Sequence, residues 1–213
     1  MACAAIAQEE LGHTRGLYSL LESLPADERP IPLEREDDRE RKYCLSYLLE
    51  PTGSWYGAVA ILLLVDAATA TLLEAARDSS HEGLRKRAVR ILDDEPFHRK
   101  FTQGRVRELS ETPEREVLRR RLDALLPETL CWFGPVGEPG VEALRAAGIL
   151  YRGNEELRRM FLDAVAEVTE GAGFGPPAPR AADGSWDYGK LPWSQWSSLE
   201  RRLETATTAA ATA

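Results

Sequence analysis

Only three cysteines, Cys3, Cys44 and Cys131, occur in 213 residues, odd in number and without a Cys-x-x-Cys spacing. Neither a disulfide framework nor a zinc ribbon is indicated, and a reducing, cytoplasmic location is the expectation. No basic segment precedes the apolar start, which runs straight into Gln8-Glu9-Glu10, so a signal peptide is rejected. Basic charge is in deficit: the net charge is −8, and a nucleic-acid partner would need a basic stripe that is lacking. The run Arg119-Arg120-Arg121 reads as the solvated side of a helix. Nor is there an uncharged run fit for a membrane. The most apolar stretch, Gly57 to Leu73, carries Asp66 at its middle, which makes it a buried core helix. A Gly-x-Ser-x-Gly elbow, a phosphate-binding loop and a dinucleotide fingerprint are all missing, and Gly171-Ala172-Gly173-Phe174-Gly175 follows no strand. A bound nucleotide or flavin is therefore not expected in this chain, and any reductant has to come from another protein.

Histidine is equally scarce, and its placement is informative. Of His13, His81 and His98, two stand three residues after a glutamate, in Glu10-Leu11-Gly12-His13 and Glu95-Pro96-Phe97-His98. Residues three apart share a helix face, so each Glu-x-x-His can offer a carboxylate oxygen and an imidazole nitrogen to one point. Two such pairs facing each other form the inner part of a carboxylate-bridged dimetal site in a helix bundle. His81, in Asp78-Ser79-Ser80-His81, reads as a plain loop residue.

The chain reads as helical throughout, with no strand run. Residues 1–24 place Cys3, Ile6, Glu10, His13, Leu17, Leu20 and Leu24 on one stripe. This helix lacks an N-cap and begins as though a segment normally precedes it. Pro25 to Arg41 reads as a surface connection and Lys42 to Leu49 as a short helix. Trp55 to Arg77 is apolar nearly all round and so central, with Val59, Leu62, Asp66, Thr69 and Leu73 on a common face. Gly83 to Leu109 aligns Leu84, Ala88, Ile91, Glu95, His98 and Thr102; Pro96 either kinks this helix or starts a new one. A helix from Thr112-Pro113-Glu114 to Pro127, a short one over Val141 to Tyr151, and one from Asn154 as cap to Glu170 follow. The expected organisation is a bundle domain over 1–170, a Gly/Pro-rich arm with a Trp-rich helix, Ser194 to Glu204, over 171–204, and a frayed tail over 205–213.

Glu10, Asp66 and Glu95 thus place three carboxylates on inward faces with no inward Lys or Arg evident. Buried unpaired carboxylates are costly, and bound cations are the economical remedy. Oxygen and imidazole ligands suit non-haem iron or manganese better than zinc. The alternative is that His13 and His98 are hydrogen-bonded core histidines while Asp66 caps a neighbour or meets a water.

The segments Gln8-Glu9-Glu10-Leu11-Gly12-His13, Leu64-Val65-Asp66-Ala67-Ala68 and Glu95-Pro96-Phe97-His98 together resemble the phenylacetic acid catabolic family of ferritin-like proteins. Weaker echoes are Lys42-Tyr43, Trp55, Phe133-Gly134-Pro135, Asn154-Glu155-Glu156-Leu157-Arg158, Tyr188-Gly189 and Trp193, in the family's order over nearly the whole chain. An aspartate at the position of Asp66 is a feature of the family's catalytic subunits. The resemblance implies an all-α, ferritin-like bundle, N-terminally shortened and with extra C-terminal helices. It implies a diiron oxygenase component that uses O2 to epoxidise or hydroxylate the ring of an aryl-CoA such as phenylacetyl-CoA. Electrons would come from a separate NAD(P)H-dependent flavin/iron-sulfur reductase, and a related metal-free structural subunit would be a partner; no nucleic acid and no membrane are implied. Carried over to this chain, Glu10 and His13 would hold one iron, Glu95 and His98 the other, with Asp66 completing the shell. Arg99, Lys100 and Arg105 read as solvated, with contact to CoA phosphates as the alternative. The chain departs from the family in two places: the first core helix, which supplies another Glu ligand, has no counterpart, and Pro96 stands where the family has a helix-compatible residue. Three carboxylates against the four charges of a diferrous pair leave one iron loosely held unless another acid substitutes. The alternative function is a non-catalytic interaction subunit of such an oxygenase with an incomplete metal site; an iron-handling ferritin-like role is a third.

Overall fold

The computed structural model describes residues 2–24, 44–49 and 51–204. The expected connection Pro25 to Arg41 and the tail 205–213 lie outside the described residues, as do Lys42 and Tyr43. Among the described residues there are six α-helices: α1 (Ala2–Ser23), α2 (Trp55–Ala75), α3 (Glu82–Ser110), α4 (Arg115–Trp132), α5 (Pro139–Ala146) and α6 (Asn154–Gly171). It is an all-α, ferritin-like bundle.

The apolar helix α2 is central, packed by α3, α4 and α6, whereas α1 lies against α3. Its start is set by Ser54, whose hydroxyl accepts from the Gly57 amide at 3.1 Å. Glycine is required at 57, since a Cβ would collide with the Thr52 carbonyl. Val59, Ala60, Leu63, Leu64 and Ala68 are buried, and each large side chain among them contributes about 1.5–3 kcal/mol by leaving water. By length and composition alone α2 could cross a membrane; in the fold it is the core helix that the charge of Asp66 suggests.

Helix α3 runs unbroken through Pro96, so the proline sits inside one helix and does not start a second. The missing N–H and the ring cost about 3 kcal/mol in a helix interior. Burial of Ala88, Ile91, Glu95, His98, Thr102 and Val106 along one stripe holds the helix together across that defect. At its start His81 is a cap, its Nδ1 accepting from the Leu84 amide at 3.1 Å, and not a plain loop residue.

Further along, α4 does not stop at Pro127 but continues to Trp132. Buried Glu128 explains the continuation, because it accepts from the Ser46 amide and hydroxyl, both at 2.6 Å, and fastens the 3-10 turn Ser46–Leu48, the short helix expected there. Asn154 does not cap α6; Gly153 holds the cap position. The Asn154 amide instead donates to the Pro135 carbonyl at 2.6 Å, across the chain. Arg119 is not solvated either, since it lies over the Phe174 ring at 4.3 Å and donates to the Phe174 and Pro176 carbonyls.

The C-terminal segment forms no helix over Ser194 to Glu204. It makes a 3-10 turn, Trp193–Gln195, and a two-stranded hairpin, β1 (Trp196–Ser197) with β2 (Arg202–Leu203). Leu199, expected on an apolar helix face, stands exposed in the turn. Arg201 takes a left-handed backbone (φ 54°) and its guanidinium reaches Glu138 at 2.9 Å and the Trp132 carbonyl. Tertiary hydrogen bonds to α4 and the loop after it outweigh helix periodicity there. The arm before it packs on α6, with Trp186 buried and its Nε1 donating to Asp163 at 2.9 Å.

Candidate metal centre

Helices α1 and α3 run antiparallel, because Glu9 meets His98, His13 meets Asp94 and Gly16 meets Arg87. That register sets the two Glu-x-x-His faces against each other. Glu10 Oε1 lies 3.4 Å from His13 Nδ1 and 3.3 Å from His98 Nδ1, so one carboxylate oxygen stands between two imidazoles. The rings are 6.2 Å apart between centroids. Ligand atoms of Glu10, Glu95 and His98 all lie within 4.8 Å of one another.

The outer edges of the rings are already engaged. His98 Nε2 is 2.8 Å from Glu9 Oε2 and His13 Nε2 is 3.1 Å from Asp94 Oδ2. The acid beside each glutamate of a Glu-x-x-His therefore holds the histidine of the opposite helix. Both Nδ1 atoms are buried and have no hydrogen-bond partner. A core histidine held only for structure would use that nitrogen; here it is turned to the shared carboxylate, as a ligand atom is when a carboxylate orients the ring from its far side.

Asp66 comes from α2 on the third side. Its Oδ2 is buried without a partner, and it shares with Glu95 a cavity of about 30 Å³ walled by Leu62, Leu63 and Val168. Burial, then the neighbouring charges of Glu95 and Glu10, push the Asp66 carboxyl up to about 8. Burial raises Glu95 to about 7, against the pull of His98 and with a further push from Glu10. The interior thus holds acids whose protonated form burial favours in the absence of a cation, and it presents oxygen and imidazole donors that fit one.

All five sequence-derived residues, Glu10, His13, Asp66, Glu95 and His98, come to this one region. Glu10, Glu95 and His98 form its tight core, with His13 and Asp66 on either flank. Sequence reasoning missed Glu9 and Asp94, although the acidic doublets Glu9-Glu10 and Asp94-Glu95 were a usable signal. Arg99 is exposed, as expected, and its side chain borders the Asp66 cavity while pairing with Glu167 at 3.3 Å.

Across its length the chain matches the family described as phenylacetic acid catabolic protein, over residues 1–209. The chain belongs to that family. It is also 27% identical, over 203 residues, to a subunit of 1,2-phenylacetyl-CoA epoxidase from Escherichia coli (strain K12). The match covers 92% of this chain and 65% of that protein, so the chain spans slightly under two thirds of its relative. Family membership agrees with the helical bundle.

One substitution tests the orienting pair directly. Asp94→Asn is expected to leave the fold intact and weaken metal binding about 10–100-fold, read by titrating metal into the chelated protein. Unchanged affinity would mean that Asp94 does not aim the His13 ring.

Proposed function

We propose that the chain is the metal-bearing component of an oxygenase that acts on an aromatic acyl-CoA, with two irons held by Glu10, His13, Asp66, Glu95 and His98. The observation that carries this reading is the pair of buried, unpartnered Nδ1 atoms at 3.3 and 3.4 Å from a single oxygen of Glu10, with each opposite ring edge held by an acid. The substrate class follows from the relative that forms part of 1,2-phenylacetyl-CoA epoxidase. Iron held by these residues would pass electrons from the reductase to dioxygen.

The chain's own residues have distinct tasks. Glu9 and Asp94 fix the tautomer by accepting at Nε2, which leaves Nδ1 as the donor atom. Glu10 spans the two rings. Asp66 and Glu95 close the cavity side and give up their protons when a cation binds. Leu62, Leu63 and Val168 make part of that cavity's wall apolar. Because no nucleotide fingerprint is present, electrons come from a separate flavin and iron-sulfur reductase, and a related structural subunit completes the assembly.

A second reading, the non-catalytic subunit with an incomplete site, is favoured by one fact: among the described residues the ligand atoms mutually within 4.8 Å come from three side chains, Glu10, Glu95 and His98. Metal analysis after anaerobic Fe(II) loading separates the two. About two irons per chain with substrate-dependent O2 uptake in the presence of reductase supports the oxygenase; one iron or none, with no O2 uptake, supports the second reading.

A further inference from the structure

A groove of about 570 Å³ opens between α2, α3 and α6, within the size range of small-molecule sites. Ala70, Glu95, Arg99 and Ala164 line both this groove and the cavity at Asp66, so the two spaces meet at Arg99. Two other openings lead elsewhere. The groove between α1 and α3, lined by Glu9, His13 and Asp94, ends on the ring edges that Asp94 and Glu9 already engage. The one lined by Tyr47, Arg121 and Arg202 shares no residue with the metal centre. Of these three openings, the α2/α3/α6 groove is the one that shares Glu95 with the Asp66 cavity.

Its walls are graded. Lys100, at the exposed end, has no ion pair or hydrogen bond among the described residues, and Arg99 is held only by Glu167 at 3.3 Å across to α6. Glu74 on the α2 wall is neutralised by Arg77 at 3.0 Å, which leaves Lys100 as the unpaired charge at the mouth among the described residues. Pro96 has no N–H to give the Leu92 carbonyl, and both residues line the groove. Further in, Ala70 and Ala164 leave room for a flat apolar group, and the Thr102 hydroxyl, buried and unpartnered, lines the cavity behind them.

We propose that this groove is the channel by which an anionic acyl thioester reaches the metal centre, with Lys100 and Arg99 holding the carrier's phosphates and the acyl end lying between Ala70 and Ala164. The proposal rests on the oxygenase reading for the identity of the carrier, and it adds the residues that select it. Arg99 exchanges Glu167 for a phosphate when the carrier binds.

The test is calorimetric titration of the iron-free full chain with coenzyme A, which needs neither metal nor turnover. Arg99→Ala/Lys100→Ala, both on the surface of α3, should weaken binding about tenfold or more and flatten its salt dependence. Arg121→Ala, in the unconnected pocket, should bind as wild type. Ala164→Trp should block the channel; should it fail to fold, the double variant carries the test alone. No saturable binding by wild type, wild-type affinity in the double variant, or an equal loss in Arg121→Ala would overturn the proposal. Iron content is measured separately on the same proteins. A chain that binds coenzyme A through Lys100 and Arg99 but takes up no iron overturns the oxygenase reading alone, whereas an iron-loaded chain indifferent to the double variant overturns the channel alone.

Discussion

Glu10→Ala is expected to take iron uptake from about two ions per chain to near zero while leaving the helices folded. The effect is larger than for any other single ligand because Glu10 Oε1 is the atom near both His13 Nδ1 and His98 Nδ1. Removing a flanking ligand such as Asp66 leaves the Glu10, Glu95 and His98 group in place, whereas removing Glu10 leaves two imidazoles without a common oxygen. The fold should tolerate the change, since the Glu10 side chain is 42% exposed and the α1 anchor Ile6 is untouched. Iron per chain measured beside far-ultraviolet dichroism decides the matter. A Glu10→Ala protein that still holds close to two irons would show that the bridge between the histidines is not the metal's seat.

Chelated protein is expected to lose stability as pH rises from about 6 to about 8.5, with the melting temperature falling by on the order of 10 °C. The sign follows from the two interior acids. In the folded chain Asp66 is pushed up to about 8 and Glu95 to about 7, chiefly by burial, while ordinary carboxyls lie near 3.8 and 4.5. Between those values the folded state binds more protons than the unfolded state, so their contribution is complete below the ordinary values. It is lost as pH climbs through about 7 for Glu95 and about 8 for Asp66. Metal reverses the trend, because a cation needs both groups ionised and its binding releases protons near neutral pH. Thermal melts of chelated and Fe(II)-loaded protein across that range should therefore diverge with rising pH. Asp66→Asn should flatten the chelated curve. A chelated protein equally stable at both ends of the range, or an Asp66→Asn variant with the wild-type slope, would remove the case for protonated interior acids.

How much was legible differs from element to element. The stripe that carries Glu10 and His13, and the one that carries Glu95 and His98, were readable because a helix repeats its face every three to four residues. α3 runs through Pro96 because buried side chains on both sides of it outweigh one lost hydrogen bond, a balance that only packing decides. The same holds for α4 beyond Pro127, where Glu128 anchors Ser46. At the C-terminus the apolar spacing of Trp196, Leu199 and Leu203 suggested a helix, yet Arg201 turns the chain to reach Glu138 and makes a hairpin.

The sequence by itself determined the all-α class and the three-residue spacing of Glu10 with His13 and of Glu95 with His98, since helical periodicity is set within one turn. Only the tertiary structure decided that Glu9 holds His98 and Asp94 holds His13, that one oxygen of Glu10 stands between both rings, and that the open side of Asp66 and Glu95 meets the groove at Arg99. Those pairings join residues more than eighty positions apart through the antiparallel register of α1 on α3. Local periodicity sets which face a side chain is on; the fit of whole helices sets what it meets.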